Sequence, residues 1–315
     1  MNMSEIIKGF PEYKYADWQA SFLQEVGNES VNKMVYEIDG IEFQPLVSDD
    51  MPIPKGYLPK KNSKIFFGEF FDLTSGNVKT IDIIESLNND YASPVFKVDE
   101  KTEFKLFDGI QLSAINASFY AHNNSFSKWL EFLTTYYGQE REHIRLFNAD
   151  ISDGLPGRHC LNYDASEAVI PFIRKLNIVA QEIDIQDLQI NFAFSGQFVQ
   201  DVIKARAIKI AWFNMLASLN MVLVPFHLEV YLASISTYPD SVISHTMQIV
   251  SATMAQADSI IFDHHVESNE RRILRNAGHI ALIESQLGKE IDPIAGSYFI
   301  EFIASEIAKK AIAMH

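Results

Sequence analysis

From about residue 64 onward the chain alternates short apolar runs with longer stretches of helical period, and this alternation most limits what it can fold into. The apolar runs stand at Ile65–Phe71, Ile110–Ala117, Ile144–Asn148, Leu188–Phe194, Met221–Phe226 and Ser259–Asp263. Between or after them, Phe126–Tyr137 carries Phe126, Trp129, Leu130, Leu133 and Tyr137 on one helical face. Asp164–Leu176 opens with Asp164 as an expected N-cap and Glu167 at the capping-box spacing. Phe198–Leu216 is apolar almost all round, so it is expected to be buried on more than one face. Ser241–Ala257, Glu270–Leu287 and Ser297–Ala313 complete the helical series, with Gly288 as the expected stop after Leu287.

Strands that alternate with helices pair in parallel, because each crossover helix returns the chain to the same end of the sheet. A stretch of about 250 residues is the usual length of a (β/α)8 barrel, with a doubly wound open sheet as the competitor. No G-x-G-x-x-G follows the early strands, which weakens a dinucleotide fold, and no G-x-x-x-x-G-K-[ST] occurs. The expected fold is therefore α/β, a TIM-type barrel over 61–315. One or more of its units should be reduced or degenerate, because the stretch 60–190 is short. Residues 1–60 read as an N-terminal arm and linker. They hold a helix-like piece at Trp18–Val26, a strand-like stretch Lys33–Phe43 broken by a hairpin turn at Asp39-Gly40, and the Pro/Gly/Asp-rich PLVSDDMPIPKGYLPK. An arm of this kind buries little area alone and should lie on the barrel or on another chain.

Lys and Arg number 26 against 41 Asp and Glu, a formal net charge of −15. That balance argues against nucleic acid or an anionic membrane as a partner. One cysteine in 315 residues excludes a disulfide scaffold and Cys-rich metal sites, and fits a reducing cytoplasm. The longest apolar-rich run, Asn220–Leu232, contains Pro225, His227 and Glu229, too short and too polar for a membrane span. Lys55, Lys60, Lys61 and Lys64 read as a solvated loop, with anion or partner contact as the alternative.

Several polar groups invite a chemical reading. Asp263-His264-His265, with Glu267 beyond, follows the run SIIF and belongs at a strand's C-terminal end, the face where barrel active sites form. Such a group could bind a metal, but adjacent strand residues point to opposite faces. His227 and Glu229, two apart, share a face if a strand runs through them, as an acid/base pair or a buried contact. His122 sits in a loop-like YAHNNS. Cys160 beside His159 reads as a buried thiol, and Asp150 and Asp153 read as turn chemistry or cation ligands. Asp201, Lys204, Arg206 and Lys209 on the apolar helix read as structural ion pairs, with Asp201 and Lys204 at i,i+3.

The C-terminal third resembles the barrel domain of the methylmalonyl-CoA mutase family. The resemblance rests on QDVIKARAIKIAW (Gln200–Trp212), the pair Arg275-Asn276, the segment Ile283-Glu284-Ser285, and DPIAGSYFIE (Asp292–Glu301). Asp201, Lys204, Arg206, Ala207, Lys209 and Trp212 occupy the places of the family's charged helix. The arm, with Trp18 and YEIDGIEFQPLVSDD, is similar to the start of the family's small subunits. The resemblance implies a barrel that embraces a CoA ester and an isomerisation such as methylmalonyl-CoA to succinyl-CoA. It also implies adenosylcobalamin as radical source, carried on a separate flavodoxin-like domain. Ending at His315, the sequence is expected to lack that domain and its Asp-x-His-x-x-Gly motif, since Ser268 stands where Asp263-His264-His265 would need the glycine. The family's Arg/Tyr-rich substrate segment and Ser-Gly-Tyr-His segment have no counterpart, and HLEVYLASISTYPDS lacks the Thr-x-Gly-x-Ser-Leu-Thr pattern. No catalytic, cofactor-binding or metal residue is therefore carried over, and Arg206, Arg275 and Asn276 remain structural positions. The expected role is a non-catalytic small subunit, a pseudoenzyme in a hetero-oligomer, that binds no cofactor alone and stabilises a catalytic large subunit bearing adenosylcobalamin. The alternatives are the acyl-CoA-binding half of a split mutase, and an unrelated metal-dependent barrel enzyme.

Overall fold

The computed structural model describes residues 14–27, 30, 34–43, 64–137, 144–148, 158–182, 187–232, 240–263 and 268–313. Eight parallel strands form a nearly closed barrel: β3 (Phe66–Asp72), β4 (Val95–Val98), β5 (Ala117–Ala121), β6 (Ile144–Asn148), β7 (Arg158–Asp164), β8 (Asp187–Phe194), β9 (His227–Leu232) and β10 (Ser259–Asp263). Their order around the wall is β6-β5-β4-β3-β10-β9-β8-β7, and the end strands β6 and β7 approach each other. On the outside lie α2 (Thr80–Asn88), α3 (Asn123–Tyr137), α4 (Val169–Glu182), α5 (Phe198–Ser218), α6 (Asp240–Met254) and α7 (Ser268–His279). The last helix, α8 (Tyr298–Ala313), packs on α5 and α4.

The strands form because their side chains alternate between two environments. In β8, Leu188, Ile190, Phe192 and Phe194 are buried against the helices, while Gln189 and Asn191 face the lumen. In β9, Leu228 and Val230 face the helices, and His227, Glu229 and Tyr231 face inward. The helical side holds two cores, one beneath α4 to α8 and one around Phe96, Phe107, Phe119 and Trp129. Two glycines permit close approach. A Cβ at Gly68 would lie 1.7 Å from the Ser93 carbonyl oxygen, and one at Gly278 would lie 2.4 Å from the Phe67 ring.

The barrel fold is as expected, and the reduction falls on the helical layer. The described connection between β4 and β5 has 3-10 turns at Phe104–Phe107 and Leu112–Ala114 in place of a helix. Ile110 and Leu112 are buried there, which accounts for the apolar run at 110–117, whereas the strand itself is Ala117–Ala121. The run at 221–226 is a loop containing Pro225, with Val222 80% exposed, and β9 begins only at His227. Strands β4 and β7 were not expected. β7 alternates outward Leu161 and Tyr163 with polar inward Cys160, Asn162 and Asp164, so it reads like a loop. The helix expected from Glu270 to Leu287 ends at His279, and a π-helical turn, Ile280–Glu284, follows it.

The arm supplies α1 (Tyr15–Val26), in which Trp18 and Phe22 stack at 4.7 Å, and a hairpin of β1 (Tyr36–Ile38) and β2 (Ile41–Phe43). Asp39 and Gly40 turn it with φ of 54° and 70°, the conformation a two-residue hairpin loop requires. Ile38 and Phe43 are buried in the barrel's larger core. The Asp39 carboxylate caps α4, accepting from Val169 N at 2.6 Å and Ile170 N at 3.2 Å. This corrects the expected cap: Asp164 instead closes a local turn with Ser166 N at 2.8 Å, and α4 starts five residues later than Asp164 suggested. The linker lysines Lys55, Lys60 and Lys61 lie outside the described residues, and Lys64 sits 4.6 Å over the Phe66 ring. Among the described residues, no helix is long and apolar enough to cross a membrane.

Candidate functional site: a sealed barrel lumen beneath an open mouth

The lumen is bridged by polar side chains bonded to one another. Glu229, fully buried, accepts from Tyr231 Oη at 2.7 Å, Gln189 Nε2 at 3.1 Å and Ser118 Oγ at 3.3 Å. β5 and β9 are four places apart in a ring of eight strands, so the Ser118–Glu229 bond spans the lumen. Tyr120 Oη accepts from Gln189 Nε2 at 2.9 Å and Asn191 Nδ2 at 2.7 Å, and lies 3.6 Å from Cys160 Sγ. Asn191 Nδ2 also reaches Asn162 Oδ1 at 2.8 Å. Beneath this layer, Arg145 Nη2 lies 3.2 Å from His227 Nδ1. A guanidinium only donates, so Nδ1 accepts and the proton of a neutral imidazole sits on Nε2, facing Ser259 Oγ at 3.5 Å.

Burial governs the protonation of these groups. Removal from water pushes Glu229 up, and Tyr231, Arg145, Ser118 and Tyr120 pull it back. Burial raises the phenols of Tyr120 and Tyr231 well above their usual range. It pushes the Cys160 thiol up to about 12, so this thiol is no nucleophile at neutral pH.

Above the sealed layer, at the C-terminal ends of the strands, a cavity of ≈ 580 Å³ opens to solvent. Tyr120, Tyr231, Asn191 and Cys160 form its floor. Phe70, Lys97 and Asn148 line one side, and Asn162, Tyr163, Asp164, Glu167 and Ala193 line the other. Lys97 is paired with Asp72 at 3.0 Å.

Of the residues singled out in the sequence, His227 and Glu229 do share the lumen face. Cys160 and His159 point to opposite sides of β7, so they form no dyad. His122 presents its backbone oxygen to Ser125 N and Phe126 N at the start of α3, and its side chain does not line the cavity. Asp263 ends β10, while His264, His265, Glu267, Asp150 and Asp153 lie outside the described residues. Among the described residues, no group of three His, Cys, Asp or Glu is placed to hold a metal. The charges of α5 are structural, though not in the expected pairs. Asp201 accepts from Ser195 Oγ at 2.7 Å and Gly196 N at 3.0 Å, rather than pairing with Lys204. Lys204 Nζ donates to Ala165 O and Glu167 O, both at 2.8 Å, and lies 3.9 Å from Asp39. Arg206 bridges Asp292 and Glu301 at 2.8 Å each, and Lys209 Nζ donates to Ala255 O at 2.7 Å. Arg275 bonds Asn89 Oδ1. The expectation passed over Tyr120, Arg145, Gln189, Asn191 and Tyr231. For all but Arg145, their signal was a polar residue at alternate positions of an otherwise apolar strand.

Fold and site together define a (β/α)8 barrel whose axis is closed by a hydrogen-bonded polar layer and whose mouth is open. Residues 174–315, from within α4 to the end of the chain, match the family model for methylmalonyl-CoA mutase. Over that span the chain is mutase-like. No curated protein matches the chain.

Proposed function

We propose that this chain is a non-catalytic barrel subunit of a methylmalonyl-CoA mutase-like isomerase, and that it stabilises a catalytic large chain carrying adenosylcobalamin in the cytoplasm. The carrying observation is the bridged lumen: Ser118, Tyr120, Gln189, Asn191 and Glu229 bond one another across the axis that an embraced CoA ester would need. The free charge of the mouth agrees, since Asp164 and Glu167 oppose a carboxylated acyl group and Lys97 is engaged by Asp72. In this reading cobalamin would be held by the partner chain and would supply the radical chemistry there, so no radical step is assigned to the residues of this mouth. Affinity purification from the native host should recover a larger, cobalamin-bearing chain in fixed ratio. Recovery only as a free monomer or homodimer would overturn the reading.

The open mouth favours a second reading, the substrate-binding half of a split mutase. Calorimetry with methylmalonyl-CoA and succinyl-CoA separates the two. Saturable binding to the isolated chain would favour the split enzyme, and no heat would leave the scaffold.

A further inference from the structure

We infer that two copies of this chain pair through the outer face of α6, a contact that goes beyond the scaffold reading and does not depend on it. After Asp240, α6 carries no Asp, Glu, Lys or Arg, in a chain that is 21% charged. Its buried side chains, among them His245, Gln248, Ile249 and Ala252, face the barrel. On the opposite side Ile243, Met247, Val250 and Met254 follow one another at spacings of four, three and four, which sets them in one stripe along the helix. Ile243 is 67% exposed and Met247 44%, with Val250 and Met254 half-buried. The π-helical turn packs beside α6 and adds Ile280 and Ile283, 50% and 66% exposed. On the other flank α5 packs against α6, no charged residue occurs from Ile210 to Phe226, and Leu219, Val222 and Leu223 are exposed.

Charge and area select what covers this face. The chain's formal net charge is −15, so two copies repel wherever their acidic surfaces meet. A bare apolar face is where they approach without setting acid against acid. A basic partner would be drawn to the acidic surface instead. A membrane-surface helix needs Lys or Arg beside its apolar stripe, and α6 has neither. The exposed apolar side chains leave several hundred Å² bare, the scale of the ~800 Å² that each partner of a standard interface buries. The stripe is also its own complement, because its spacing reads the same in both directions. Across a two-fold axis normal to α6 the two helices run antiparallel, so Met247 meets Val250 and Ile243 meets Met254.

Sedimentation equilibrium of the full chain tests the pairing. A dimer is expected, and raised salt should tighten it, because the two net charges repel through solvent while the contact itself holds no ion pair. Ile243→Glu and Met247→Glu should each weaken the dimer by about tenfold or more, since each sets a charge in a desolvated apolar contact. Ile81→Glu, at a similarly exposed apolar position on α2, is the control and should leave the dimer intact. Circular dichroism checks that each variant is folded. No dimer at ~100 µM, a dimer that survives both folded α6 variants, or one that Ile81→Glu disrupts equally overturns the proposal. A chain that is monomeric alone yet still recovers a larger, cobalamin-bearing chain from the host would overturn the pairing and leave the scaffold reading standing.

Discussion

Glu229 is a carboxylate with no exposure, held by a phenol, an amide and a hydroxyl from three other positions of the barrel wall. Its worth lies in the donors it satisfies. Glu229→Leu should destabilise by about 3 kcal/mol in urea unfolding, since the buried Tyr231 and Ser118 hydroxyls would lose their carboxylate acceptor, while Gln189 would keep Tyr120 and Asn191. Glu229→Gln keeps the acceptor and removes a charge that burial already disfavours, so it should cost under about 1 kcal/mol. Equal losses in the two variants would show that the network matters less than the packing. Cys160 offers a second test. With its thiol pushed up to about 12 and 2% exposed, it should resist iodoacetamide at pH 8 in the folded protein and react once urea unfolds it. The pair His227 and Glu229 was legible in the sequence because spacing by two is a local property. Their partners Ser118, Tyr120 and Gln189 were not, because the order of strands around a ring brings them together and no local pattern records that order.

The same contrast holds for elements. The β1–β2 hairpin was legible because Asp39-Gly40 carries its turn chemistry within two residues. The start of α4 was misplaced because its cap comes from Asp39, 130 positions upstream of Val169. Strand β7 escaped because its inward side is polar for the lumen's sake. Asp39→Ala should therefore act at a distance, loosening the first turn of α4 and leaving Lys204 near an empty place. A loss of about 1–2 kcal/mol is expected, with faster amide exchange at Val169 and Ile170. Unchanged exchange at those two amides would remove the carboxylate from the account of α4. Asp39→Asn, which keeps a side-chain oxygen, should recover part of the loss.

At the scale of the molecule, Arg206 ties α5 to the loop before α8 and to α8 itself, through Asp292 and Glu301. Two carboxylates share one guanidinium, and burial raises both, Asp292 from 3.8 to about 6. A carboxyl that holds its proton more tightly folded than unfolded adds stability that is full below about pH 4 and is lost as pH rises through about 6. The melting temperature of the native chain relative to Asp292→Asn should fall between pH 4 and pH 7, and the reverse trend would contradict the assignment. The Asp39 contact has a consequence of another kind, in the order of synthesis. The hairpin leaves the ribosome first, yet the helix it caps is made 130 residues later, so the arm must wait unfastened while most of the barrel wall is translated. During that wait Ile38 and Phe43 have no barrel core to cover them, and a nascent chain of this protein should be open to chaperones and proteases at this hairpin.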